Sequence, residues 1–275
     1  NNVIQGIFWT ANKLYGLSFR ERTEDYPQYH KQQQSWDVID KNGNLIAIFY
    51  SDYYPRDGKG AGAWCGRFRP QSYDGAMRVQ PIVTNVCNMT LPAEEGGPAL
   101  QTVDNVLTMF HEFGHALHSF FRDVQYEGTG GVERDFVELP SQINEHWAFE
   151  PEVLRQYARH YRTGEVIPQE LVEKIDASSK YGQGFATVEY LAASYVDLDL
   201  HYLTEMPKKL DVMKFQAEKM RKRGMPSQIL PRYSVTNFSH TMGGGYSAGY
   251  YSYIWAEVLD ADAFEAFKET GDIFN

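Results

Sequence analysis

Cysteine is nearly missing from this 275-residue chain, which carries only Cys65 and Cys87. Two cysteines with no C-x-x-C spacing build no disulfide framework, and a reducing compartment is the expectation. A basic excess is missing too. Lys and Arg number 26 against 36 Asp and Glu, a net charge of −10, which argues against a nucleic-acid partner, because such proteins carry a basic patch. The densest basic stretch, "KMRKRG" at 219–224, reads as the solvated end of a helix. Apolar runs stop well short of the roughly 18 residues that a membrane helix needs, so no membrane insertion is expected. The opening "NNVIQGIFWTANKLYGLSF" has no charged segment ahead of an apolar core and is no signal peptide. It lacks an initiator Met and reads as the middle of a helix, so the chain is taken as a piece of a longer protein. A cytoplasmic location and a monomer are the expectations. Internal repeats and low-complexity segments are absent.

What is present is a large apolar share, 43% of residues with 15% aromatic, enough to bury a sizeable core. The fold class expected is mainly α with a small β-sheet, that is, α+β. The β-rich part spans about 36–90: "WDVIDKNGNLIAIFYSDYY" alternates around a Lys-Asn-Gly-Asn turn, and "MRVQPIVTNVCNMT" gives a third extended run. Gly-rich connections follow at 57–66, 95–97 and 128–131. From about residue 100 the pattern is helical, over 101–122, 138–162, 168–177, 182–204, 211–222 and 246–268. The whole chain, 1–275, is read as one catalytic region.

The stretch "MFHEFGHALHSFF" at 109–121 carries the chemistry. Val103, Val106, Leu107, Phe110, Phe113, Leu117, Phe120 and Phe121 recur at helical spacing and form a core-facing stripe. His111 and His115 lie one turn apart beside it, so their ring nitrogens converge on one ion, and imidazole suits zinc. Glu112, rotated about 100° from His111, reaches a water at that ion without being a ligand. A catalytic zinc needs three protein ligands and an open fourth position, which argues against His118 as a further ligand. "GGVERDFVELPSQINEHWAFE" at 130–150 offers Glu133, Asp135, Glu138, Glu145 and His146. Glu138 sits between Val137 and Leu139, where an unpaired carboxylate is expensive to bury and coordination removes the objection. Pro140 belongs in a first helical turn, which places Glu138 at the helix entrance and Glu145 two turns on along the same face. Glu145 is a candidate for orienting the site. Asp135 and Gln142 are alternatives for holding a ligand histidine.

In "FSHTMGGGYSAGYYSYIW" at 238–255, three glycines let backbone approach a ligand, while Tyr246, Tyr250 and Tyr253 recur at 4 and 3 spacing with His240 ahead of them. Gly60, Ala61 and Gly62 allow either a peptide alongside the neighbouring strand or a plain turn.

"FHEFGHALH" followed by "VERDFVELPSQ" resembles the thimet oligopeptidase family of zinc metallopeptidases. The resemblance runs along essentially the whole chain, through "FYSDYYPRDGKGAGAW", "VTNVCN" and "HTMGGGYSAGYYSYIWAEVL", and is nearer the bacterial peptidyl-dipeptidases. It implies a zincin-like catalytic domain, the catalytic half of much longer proteins. It also implies one zinc on His111, His115 and Glu138, Glu112 as the base, and Tyr253 and His240 as transition-state donors. Tyr246 is implied as a substrate contact. Short peptides are then the partners, and C-terminal dipeptides the products. Capture of the free carboxylate falls to Tyr246 or Arg232, with Tyr250 a further substrate-binding candidate. The alternatives are an endo-acting oligopeptidase with the same zinc centre and a catalytically incomplete zinc- or peptide-binding fragment.

Overall fold

A computed structural model describes residues 1–94, 96–205 and 207–275. The connection expected at 95–97 includes Glu95, which lies outside the described residues. The fold is mostly helical with a small mixed sheet, as α+β predicts. The chain divides into two compact units, one of residues 1–132, 139–168 and 257–275, the other of residues 133–138 and 169–256.

The first unit opens with helix α1 (Asn2–Tyr15), which stops at Gly16, whose φ of 70° is the left-handed cap that glycine adopts without strain. Five strands form its sheet in the order β1 (Ser18–Glu21), β2 (Gln34–Ile39), β3 (Leu45–Asp52), β7 (Ile82–Val86) and β4 (Trp64–Arg69). Strands β1, β2 and β3 are antiparallel, β7 runs parallel to β3, and β4 closes one edge antiparallel to β7. The hairpin expected around Lys-Asn-Gly-Asn is present. Asp40 Oδ1 accepts from the amides of Asn42 and Asn44, each at 2.8 Å, and fixes the turn. The sheet begins earlier than expected, at Ser18, and the last residues of the 57–66 connection belong to β4. The third extended run is broken in two. Strand β6 (Met77–Val79) pairs with β5 (Ser72–Asp74) in a separate ribbon, and β7 starts only after Pro81, which has no amide to give a ladder.

Helix α2 (Val103–Phe120) starts at Thr102, whose side chain accepts from the Asn105 amide. Its stripe is buried at Val106, Phe110, Phe113, Leu117 and Phe120, where Phe49 packs edge-on against Phe113 and Phe120. Val103 and Phe121, expected in that stripe, are 39% and 46% exposed, because they lie at the two ends of the helix. The helix expected over 138–162 is interrupted. Helix α3 (Leu139–His146) passes through a 3₁₀ turn at Trp147–Phe149 into α4 (Pro151–Tyr157). Glu150 is extended at ψ 135°, as the residue before a proline prefers, and Pro151 restarts the chain as a first helical residue. Gly114 is where α2 and α3 touch. A Cβ there would stand 2.3 Å from Pro140 O and 2.6 Å from Ser141 Cα.

The second unit holds α5 (Gln169–Ser179), α6 (Gln183–His201), α7 (Val212–Lys222) and the short α8 (Ser239–Met242). Asp211 caps α7 through the Lys214 amide, and Lys219, Arg221 and Lys222 close its last turn, so "KMRKRG" is a helix end as expected. Among the described residues of this unit, one buried cluster gathers around Ala192, Val196, Met220 and Val235 and another around Ala193, Phe238 and Tyr250. Helix α9 (Ser252–Glu269) starts six residues later than expected. Residues 246–251 are a turn, because Ala248 takes φ 53°, the sole positive φ of a non-glycine among the described residues, and interrupts helical geometry.

Candidate metal centre

Helix α2 holds His111 and His115 one turn apart, with ring centroids 5.0 Å from each other and planes at 85°. Glu112, between them, is 5% exposed. His111 Nδ1 lies 2.6 Å from Glu145 Oε1 on α3. With Nδ1–H donated to that carboxylate, Nε2 keeps its lone pair and is the nitrogen able to coordinate a cation. Close approach at Gly114 permits this contact, and Asn144 Nδ2 adds a 2.7 Å bond to Phe110 O. Glu145 is thus the carboxylate in contact with His111, while Asp135, an alternative for orienting it, accepts instead from the Tyr251 hydroxyl at 2.9 Å.

Glu138, peptide-bonded to the first residue of α3, is 1% exposed. One ligand atom from each of His111, His115 and Glu138 lies within 4.8 Å of the other two. Two imidazoles and one carboxylate at that spacing fit a catalytic divalent ion with an open position. His146 faces elsewhere, its Nε2 standing 2.6 Å from the buried Asp260 and its ring stacking on Phe264, so it braces the helix. Cys65 and Cys87 are unbonded, and burial, then the charge of Glu112, pushes both thiols up.

Glu138 also belongs to a second constellation. The Tyr246 hydroxyl donates to Glu138 Oε1, and the Tyr246 ring stacks on that of Tyr253 at 5.4 Å and 14°. Burial, then Glu138, pushes the Tyr246 phenol up to about 12 and raises Tyr253 as well, so both stay protonated donors at neutral pH. The His240 ring lies 6.3 Å from that of Tyr253, and its Nδ1 is buried with no hydrogen-bond partner among the described residues. Burial and then the Arg232 charge lower His240 below its ordinary value, which keeps the imidazole neutral.

Tyr250 departs from its expected place. It is 2% exposed and packs in the cluster with Ala193 and Phe238, while its carbonyl accepts from the Tyr190 hydroxyl. Because residues 246–251 are a turn, the three tyrosines do not share one helix face. Tyr246 and Tyr253 meet by stacking, and Tyr250 packs against Tyr253, its ring 5.5 Å away. Arg232 is exposed, with its guanidinium 5.8 Å from the Tyr233 ring centroid. Asn88 Nδ2 donates to the carbonyls of Gly60 and Gly62, which makes that glycine stretch a braced turn.

Two residues were missed by sequence reasoning. Asp197 on α6 is fully buried, and its two oxygens accept from the amides of Ala248 and Tyr250, each at 3.0 Å, with His201 2.9 Å away. It thereby holds the left-handed turn that delivers Tyr246 and Tyr253. An acid inside the apolar run "LAASYVDLDL" was the available signal, since a buried carboxylate needs partners. Arg134 lies with its guanidinium carbon 4.6 Å over the Tyr246 ring, and nothing in the linear pattern marks it.

Helices carrying a two-histidine, one-glutamate cluster beside a small mixed sheet suit a metallopeptidase, and the chain belongs to peptidase family M3, a metallopeptidase family whose model matches residues 1–275. It is 43% identical to dipeptidyl carboxypeptidase of Escherichia coli (strain K12) over 272 residues, 98% of this chain and 39% of that protein. It is 38% identical to oligopeptidase A of the same organism over 283 residues, 100% of this chain and 41% of that protein. Thimet-like oligopeptidase of Dictyostelium discoideum is 31% identical over 281 residues, 98% of this chain and 40% of that protein. The chain thus spans about two-fifths of the length of the curated relatives it matches.

Proposed function

We propose that residues 1–275 form the catalytic region, zincin-like in fold, of a zinc-dependent peptidase that releases dipeptides from the C-terminal ends of short peptides. The observation that carries this reading is the convergence of His111, His115 and Glu138 ligand atoms within 4.8 Å, with Glu145 on the far nitrogen of His111. Zinc at that set, when bound, supplies Lewis-acid polarisation of the scissile carbonyl.

Glu112 takes the proton of the attacking water and passes it to the departing amine. Its burial keeps bulk water from competing for that proton. Tyr253 and His240 donate hydrogen bonds to the oxyanion as it forms. Both are protonated donors without any charge to relinquish, since the phenol is raised and the imidazole is neutral. Tyr246 holds Glu138 and lines the place of the substrate chain. We place the protein in the cytoplasm as a monomer, a reading compatible with the finding that no helix among the described residues is long and apolar enough to cross a membrane.

The similarity to oligopeptidase A favours a second reading, internal cleavage by the same centre. Metal analysis together with cleavage of an N-blocked tetrapeptide and its C-terminal amide tests both. One zinc per chain and loss of the amidated substrate support dipeptide release, whereas equal cleavage of the two supports the internal mode. Zinc without any turnover would mean that this span is catalytically incomplete.

A further inference from the structure

Release of a C-terminal dipeptide requires a group that takes the substrate's free carboxylate, and a cation in a built seat of the second unit suits that task. Arg134 is exposed, yet its side chain is not loose. The guanidinium carbon stands 4.6 Å over the Tyr246 ring, a cation–π arrangement that orients the planar fork. Glycines supply the room. A Cβ on Gly245 would meet Arg134 Nη2 at 3.3 Å, and one on Gly249 would meet its Cγ at 3.2 Å. Gly245 at φ 85° is also in the left-handed region where a side chain is strained. No ion pair of Arg134 occurs among the described residues, although acids flank it in sequence. Its neighbour Asp135 is occupied by the Tyr251 hydroxyl.

Position gives this cation a purpose. The ring beneath it is that of Tyr246, whose hydroxyl donates to Glu138, so one tyrosine separates the guanidinium from a proposed metal ligand. Arg232, the other candidate, lies over Tyr233, which stacks on Phe238 in the interior of the unit.

We propose that Arg134 captures the free C-terminal carboxylate of the substrate and so sets release of dipeptides over internal cleavage. This rests on the peptidase reading above. A planar guanidinium takes a carboxylate through two parallel hydrogen bonds, a geometry that an amide cannot reciprocate.

The test is calorimetric titration of a dipeptide and of its C-terminal amide into the metal-loaded full chain, for the native protein and for Arg134→Gln and Arg232→Gln at equal metal content. Arg134→Gln should weaken binding of the free acid roughly 30- to 100-fold, the worth of one charged hydrogen-bonded contact, and leave the amide within a factor of about 2. Arg134→Lys should recover only part of the loss, because a point charge lacks the fork. Equal weakening of acid and amide in Arg134→Gln, no change in either, or loss of the acid preference in Arg232→Gln alone would each overturn the assignment. Failure of the peptidase reading looks different, as absent turnover of tetrapeptides with this binding preference intact.

Discussion

Glu145 Oε1 and His111 Nδ1 stand 2.6 Å apart across the α2–α3 contact, which makes the glutamate the group that fixes the histidine's tautomer. Glu145→Ala should therefore weaken metal binding about 10- to 100-fold without abolishing it, while Glu138→Ala, removing a proposed ligand, should cost far more. Competition against a chelator of known affinity measures both. Equal losses would mean that Glu145 coordinates.

Gly114→Ala tests what brings those helices together. A Cβ at 2.3 Å from Pro140 O cannot be relieved by rotating a side chain, because the neighbour is backbone. The helices must separate, at a cost of about 3 kcal/mol or more in stability. Urea unfolding midpoints read this directly, and metal affinity should fall in the same variant as Glu145 draws away from His111.

On the proposed mechanism, the value of the Tyr253 hydroxyl lies in the transition state. Tyr253→Phe should lower kcat by roughly 10²–10³ with KM and metal content nearly unchanged. A lowered melting temperature with kcat intact would make Tyr253 a packing residue.

His240 gives a pH signature. Its folded value is depressed, first by burial and then by Arg232, so below about pH 6.5 the unfolded chain takes up a proton that the folded one resists. Its penalty is absent above that pH and grows as pH falls through the unfolded value, until the folded value is passed. His240→Gln should flatten the fall in unfolding midpoint below about pH 6.5. An unchanged pH profile would assign the acid sensitivity to other groups.

Much of this architecture was legible from the chain. The hairpin around Gly43, the apolar stripe of α2 and the basic end of α7 follow from local periodicity and turn chemistry, which are short-range properties. Glu138 was legible because a carboxylate between Val137 and Leu139 is anomalous unless something balances it. What escaped depended on distant partners. The turn at 246–251 keeps helical spacing of its tyrosines, yet Asp197, some fifty residues earlier, takes the Ala248 and Tyr250 amides. Tyr250 looked equivalent to Tyr246 for the same reason, and only packing separates them. Arg134 is ordinary in sequence and notable only once Gly245, Gly249 and the Tyr246 ring surround it.

The separation of metal holding from proton transfer is the centre of the account, and Glu112→Gln measures it most directly. Glu112 is not in the cluster of His111, His115 and Glu138, so the variant should keep one zinc per chain by elemental analysis while tetrapeptide turnover in the full-length protein falls to background. Loss of zinc in Glu112→Gln, or turnover that survives with zinc in place, would contradict it.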